Sequence, residues 1–131
     1  MPVKVLLVHP DAAITRLVRE TLEAFCDCQV DLTTASLAGY ERALQKDYRL
    51  YLFALRMEPL DGLLLYELIS TAHQYAQPGR ATPAIIFLCE AGDLARQESL
   101  LRDARIKGVV LTPPKIGQLL EKVSSLLPAK T

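Results

Sequence analysis

No stretch of this chain is long and apolar enough to cross a bilayer. The longest uninterrupted hydrophobic runs, Leu50 to Leu55 and Ala84 to Cys89, hold six residues each, against the ~20 that a spanning helix needs. The amino terminus has no cationic segment followed by a secretory apolar stretch, so a cytoplasmic location without membrane contact is expected. An excess of either charge is also missing. Fifteen Lys and Arg balance fifteen Asp and Glu, leaving no net positive field to gather nucleic acid or anionic lipid; direct nucleic-acid binding is not expected. Cysteine is scarce and odd in number, and Cys26, Cys28 and Cys89 read as reduced thiols rather than a disulfide framework. None of the six glycines falls in the Gly-x-Gly spacing that cradles a nucleotide. Gly62, Gly92 and Gly108 read instead as turn and helix-end positions.

What the chain does have is apolar residues, half of its 131. That suffices for one compact domain burying roughly two-thirds of its unfolded surface without metal or disulfides. Residues 1–127 are expected to form it, with 128–131 as a linker or tail. Short apolar runs alternate with helical periodicity five times, the pattern of a parallel sheet covered on both faces. Val3 to Val8, Leu50 to Leu55 and Pro83 to Cys89 are nearly continuous apolar runs, as in strands buried on both sides. Gln29 to Ala35 alternates and predicts an edge strand with one wet face. Gly108 to Thr112 is the predicted fifth strand.

Ile14, Leu17, Val18, Leu22 and Phe25 lie at helical spacing opposite Arg16, Arg19, Glu20 and Glu23, with Asp11 placed to cap. Ser36 is expected to cap a short second helix. Asp61-Gly62 turns the chain into a third helix carrying Leu64, Leu65, Leu68, Ile69 and Ala72, on which His73 reads as exposed. A charged fourth helix is expected over about Asp93 to Ala104. The fifth carries Ile116, Leu119, Leu120, Val123, Leu126 and Leu127 on one stripe. Five such units fit a flavodoxin-like, doubly wound five-stranded parallel sheet of order 2-1-3-4-5, helices on both faces, with its site outside the carboxyl ends of strands one and three.

On Lys4 to Val8, the helix Ala12 to Phe25, the turn Ala35 to Gly39, the segment Leu55-Arg56-Met57-Glu58-Pro59-Leu60-Asp61-Gly62 and the final Leu111-Thr112-Pro113-Pro114, the chain resembles the receiver domains of two-component response regulators over essentially its whole length. The resemblance implies a small phosphotransferase site: an acidic pair after strand one and an acceptor aspartate after strand three holding Mg²⁺, a hydroxyl ending strand four, and a lysine before a proline after strand five. Mg²⁺ demands hard oxygen ligands, and phosphoryl transfer is catalysed mainly by positioned positive charge. Carried over residue by residue, the acidic pair falls on His9 and Pro10, the acceptor on Ala54, the hydroxyl on Cys89 and the lysine on Pro113. The aromatic switch position falls on Val110. No carboxylate or cation stands at any of these places, so the chain is similar to a degenerate, pseudo-receiver member. The resemblance also implies a cis bond between Pro113 and Pro114.

Neither a cofactor nor a metal is expected. Asp11, Glu58 and Asp61 lie near the site, but Asp11 and Asp61 read as helix caps. Lys115 sits beyond a rigid Pro-Pro pair and reads as an exposed lysine. A zinc site on Cys26, Cys28, Cys89 and His9 is excluded by topology, because the first two lie at the opposite edge of the sheet, roughly 20 Å away. His9 beside Cys89 lacks an orienting carboxylate and an oxyanion loop, which argues for packing over catalysis. The expected function is therefore a non-phosphorylatable, non-enzymatic bacterial signalling domain, the amino-terminal input module of a larger regulator, working through a protein partner or output domain. Resemblance places its contact face on helix four, strand five and helix five, where Arg96, Arg102, Asp103, Arg105, Val110, Lys115 and Lys122 are candidates and a self-complementary patch would suit a homodimer. Three alternatives stay open: a small-ligand sensor with a pocket of His9, Ala54, Cys89 and Pro113, an enzyme using Cys89 and His9, and an ordinary phosphorelay receiver whose residues are shifted from this alignment.

Overall fold

The structure, a computed structural model, describes residues 2–130. Its strands are β1 (Val3–Val8), β2 (Cys28–Thr33), β3 (Leu50–Ala54), β4 (Ala84–Cys89) and β5 (Ile106–Leu111). The helices are α1 (Ala12–Phe25), α2 (Ser36–Gln45), α3 (Gly62–Ala76), α4 (Leu94–Leu100) and α5 (Ile116–Val123). All strand pairs are parallel and run in the order β2-β1-β3-β4-β5, which is the expected topology. Every residue of β3 is buried, as its uninterrupted apolar sequence requires of a central strand. In β2, exposed Gln29 sits between buried Cys28 and Val30, the alternation of an edge strand.

Period-two geometry divides the interior into two layers. Val5, Leu7, Leu50, Leu52, Ile86 and Leu88 point to α1 and α5, meeting Val18, Leu22, Leu119 and Val123. Their strand neighbours Leu6, Val8, Tyr51, Phe53, Ile85 and Phe87 point the other way, onto Ala43, Leu65, Tyr66 and Ile69 of α2 and α3. Tyr51 stacks on Phe53 at 4.9 Å and meets Tyr66 edge-on at 6.0 Å.

Several expectations change. Helix α4 is half its predicted length, a 3-10 turn over Ala91–Asp93 taking its start. Its apolar anchoring is thin: Leu100 is buried while Leu101 is exposed, and residues after Leu100 turn back toward β5. Ser36 does not cap α2. Ala35 holds that position with no side-chain bond, and the buried Ser36 hydroxyl instead donates to Glu58 O at 3.4 Å and accepts from Leu60 N–H at 3.3 Å. His73 is buried rather than exposed, because its face of α3 packs on α2, where Nε2–H donates to Ala43 O at 3.2 Å. Pro128–Lys130 is pinned to the domain rather than leaving it: Pro128 O accepts from Asp27 N–H at 2.8 Å, Lys130 N–H donates to Phe25 O at 3.2 Å, and Ala129 pairs antiparallel with Cys26.

The step from β3 into α3 is the tightest in the fold. Gly62 N–H donates to Leu55 O at 3.1 Å, and a Cβ on Gly62 would lie 2.1 Å from the Ala54 carbonyl oxygen. Gly→Ala at a helical position ordinarily stabilises by up to about 1 kcal/mol. Here Gly62→Ala is expected to destabilise by roughly 1–3 kcal/mol through overpacking, read as a lower urea midpoint. A midpoint equal to or above wild type would contradict so close an approach.

Candidate functional site

The carboxyl ends of β1, β3, β4 and β5 bring His9, Ala54, Cys89 and Thr112 to one edge of the sheet. His9 follows β1 and is almost fully buried. Its backbone N–H donates to Thr33 O at 3.2 Å, and its Nδ1 accepts from Asp11 N–H at 3.0 Å, which leaves the ring proton on Nε2. Burial lowers the imidazole pKa against the raising pull of Asp11 and Glu90, so the ring is neutral at neutral pH. Asp11 caps α1 as expected, its Oδ1 accepting from Ala13 N–H at 2.9 Å and Ile14 N–H at 3.4 Å. Asp61 caps α3 by accepting from Leu64 N–H at 2.8 Å.

Ala54 ends β3 with a buried methyl group. Cys89, also buried, has its thiol pKa pushed up to about 11 by desolvation and then by nearby Asp93. A thiol in that state is protonated at neutral pH and is a poor nucleophile. Among the described residues no hydrogen bond joins it to His9. Thr112 N–H donates to Cys89 O at 2.8 Å, so the chain stays on β4 through that residue and bends only afterwards. The cis bond accordingly joins Thr112 and Pro113, one residue before the expected Pro113–Pro114 bond; a second cis bond joins Glu58 and Pro59.

The pairing that sequence reasoning missed is Arg56 with Asp93. Arg56 leaves the end of β3 and Asp93 lies beyond β4, 37 positions away, yet Nε and Oδ1 are 2.5 Å apart. The Asp93 side chain has no solvent exposure whereas that of Arg56 is 60% exposed. Asp93 Oδ2 also accepts Glu90 N–H at 3.1 Å. Burial would raise the Asp93 pKa, but the Arg56 bond and the Glu90 amide outweigh it and hold the carboxyl below its ordinary value. The only available cue was that both residues follow adjacent strands of the predicted order.

Magnesium would not fit the residues present. His9 offers a nitrogen already occupied, Pro10 and Ala54 offer no side-chain oxygen, and the Asp11 and Asp93 carboxylates are committed to backbone amides and to Arg56. Among the described residues no group of three His, Cys, Asp or Glu is disposed to hold a metal, and no helix is long and apolar enough to cross a membrane.

On the far side of β5, a groove of about 290 Å³ runs between α4 and α5, lined by Gln97, Val109, Val110, Leu111, Gln118, Glu121 and Lys122. Arg96, Arg102, Lys115 and Lys122 are exposed in this region of the chain. Three candidates for that face must be revised. The Val110 side chain is 2% exposed and packs into the α1 and α5 layer. Asp103 and Arg105 lie past the end of α4, and Arg105 turns away toward α3: its guanidinium bonds Asp103 at 2.6 Å and Ser70 at 3.2 Å, reaches Glu67 at 3.4 Å and covers the Tyr66 ring at 5.0 Å.

No protein-family model matches the chain, and no curated protein matches it. Solved structures do. A response regulator receiver domain protein from Clostridium thermocellum superposes with a TM-score of 0.76 at 17% identity, over 95% of this chain and 93% of that one. A CheY-like receiver domain protein from Methanospirillum hungatei gives 0.75 at 21% identity, over 95% and 93%. The chemotaxis protein CheY4 of Vibrio cholerae gives 0.77 at 18% identity, over 97% and 100%. At these identities the likeness establishes the fold alone, the flavodoxin-like α/β arrangement that these receiver domains share.

Replacing Arg56 tests its pairing with Asp93. Arg56→Ala is expected to lower stability at neutral pH by roughly 1–3 kcal/mol, the range for a hydrogen bond to a charged group, discounted because Arg56 is largely in water. A carboxylate with a depressed folded pKa gives stability that is present above its unfolded pKa, about 4, and lost as pH falls through the folded value. The gap between wild type and Arg56→Ala should therefore close in acid, read from urea unfolding across pH. A gap independent of pH would mean that the two side chains are not electrostatically coupled.

Proposed function

We propose that this chain is a receiver-like signalling domain that accepts no phosphoryl group and acts through contact with other proteins. One observation carries the reading: where a receiver would gather its metal and acceptor carboxylates there stand His9, Pro10 and Ala54, while the Asp11 and Asp93 carboxylates in the neighbouring loops are already bonded. The lysine position falls on Pro113 and the aromatic switch position on buried Val110. Neither supplies a charge or an aromatic ring. Cys89 offers a protonated thiol where a hydroxyl would stand. Transfer of a phosphoryl group needs these parts together, because they act as a unit on the charge of the transferring oxygens. The domain is accordingly read as a binding module with no catalytic role of its own.

The proposed contact face is the groove between α4, β5 and α5. The aliphatic stem of Lys122 lies over Gly108, where a Cβ would sit 3.1 Å from its Cδ, and both Lys122 and Glu121 line the groove. Opposite charges side by side let such a patch complement itself across a twofold axis.

Incubation with acetyl phosphate and Mg²⁺ is expected to leave the intact mass unchanged, both for wild type and for Ala54→Asp, since restoring the acceptor alone restores neither metal ligands nor the lysine. A phosphoryl adduct on either protein would overturn the residue assignment. For the contact face, sedimentation equilibrium is expected to show concentration-dependent dimerisation that Lys122→Glu weakens. A monomer at every concentration would remove the homodimer from the proposal.

A further inference from the structure

A second surface, on the opposite side of the sheet from α1 and α5, carries a set of exposed apolar side chains. Leu37 is 55% exposed and Leu44 46% on α2; on α3, Leu64 is 45%, Leu68 40% and Tyr75 92% exposed. Single exposed leucines need no explanation, but these are ordered. On α3, Leu64, Leu68, Thr71 and Tyr75 follow the 4-3-4 spacing that places side chains along one narrow helical seam, and it faces away from the buried Leu65, Ile69 and His73. On α2, Leu37, Tyr40 and Leu44 keep the same 3-4 spacing.

Two ion pairs orient both seams. Lys46 pairs with Asp31 of β2 at 3.3 Å, which fixes that side of α2 toward β2 and turns Leu37, Tyr40 and Leu44 to the opposite side, toward α3. Glu67 reaches Arg105 at 3.4 Å, which fixes its side of α3 toward β5 and leaves Leu64, Leu68 and Tyr75 facing outward and toward α2. The two helices touch, the buried His73 ring bonding to Ala43 O. Together they form an outward apolar strip.

Its border is acidic. Exposed Glu41 and Glu67 flank the strip, and exposed Glu58 and Asp61 stand at the end where both helices begin. The basic residues nearby already have partners: Lys46 is held by Asp31, with Arg42 one turn before it on the same side, and Arg105 is bonded to Asp103 at 2.6 Å and reaches Glu67 only at 3.4 Å. We propose that the outer faces of α2 and α3 dock an amphipathic α-helix of another protein, one with an apolar 3-4 seam and Lys or Arg on its flanks. Helix-in-groove recognition reads such anchors directly, and the acidic border selects the basic helix while repelling anionic lipid. The proposal stands whether or not the carboxyl edge of the sheet accepts phosphate.

The test uses the full chain and a synthetic, fluorescently labelled three-heptad peptide with Leu at the seam and Lys at the flanking positions, beside a twin with Glu at the flanks. By anisotropy the Lys peptide is expected to bind wild type at least about tenfold more tightly than the Glu peptide. Leu64→Glu with Leu68→Glu should weaken it about tenfold or more, as loss of central anchors does. Leu17→Glu, at an exposed leucine on α1, should leave binding unchanged. Glu41→Lys with Glu67→Lys should shift preference toward the Glu peptide, an outcome that misfolding cannot imitate. Failure of both peptides to bind, equal binding by the Leu64 and Leu68 variant, binding to phosphatidylglycerol vesicles in place of peptide, or self-association abolished by Leu68→Glu would each overturn the proposal, the last by making a second copy the occupant.

Discussion

A carboxylate shut away from water costs several kcal/mol unless cations and donors surround it, and Asp93 meets that requirement with Arg56 and the Glu90 amide. The consequence reaches beyond one ion pair. Arg56 belongs to the loop after β3 and Asp93 to the turn after β4, so the pair ties together the two connections that border the carboxyl edge of the sheet. It uses one negative charge near that edge and places a guanidinium across its mouth. Asp11 is likewise committed, to the first turn of α1.

The same geometry explains how the scaffold survives without its charges. Clustered carboxylates repel one another and destabilise a fold in the absence of their metal. His9 held neutral by burial, Pro10, Ala54 and a protonated Cys89 carry none of that repulsion. What remains at the edge is satisfied locally: His9 Nδ1 by the Asp11 amide, Cys89 O by Thr112, and the Ser36 hydroxyl by the loop before α3. The strands themselves depend on none of these groups, since β1, β3 and β4 are buried on both faces by helices anchored elsewhere along their length.

The sheet was legible because its strands are apolar runs at spacings that leave room for one helix each, and because period-two alternation in Gln29 to Thr33 marks the edge. Caps at Asp11 and Asp61 were legible for the same local reason. What failed was non-local. His73 looks like a polar helix residue until α2 is packed beside it. Ser36 looks like a cap until the loop before α3 arrives to take its hydroxyl. Asp103 and Arg105 look like helix-four charges because nothing in the sequence shows that α4 stops at Leu100 and the chain turns Arg105 back to Tyr66. Of the candidate site, the positions of His9, Ala54 and Cys89 followed from strand ends alone. The partner of Asp93 did not, because an ion pair across 37 residues leaves no local pattern.

If the domain accepts no phosphoryl group, no covalent input drives a population shift, since a ligand moves an equilibrium only by its differential affinity for the two states. Information must then enter and leave as binding. Two surfaces suit that role, and they differ in kind. The groove beside β5 sets Gln97, Gln118, Glu121 and Lys122 of the two helices around Val109, Val110 and Leu111 of the strand, whereas the strip on α2 and α3 is apolar with an acidic border. They lie on different elements, the first across α4, β5 and α5 and the second across α2 and α3, so occupation of one does not require displacement from the other. A sheet that holds two unlike surfaces in fixed relation would then serve as a connector, and the Arg56 and Asp93 tie joins the two loops at its carboxyl edge.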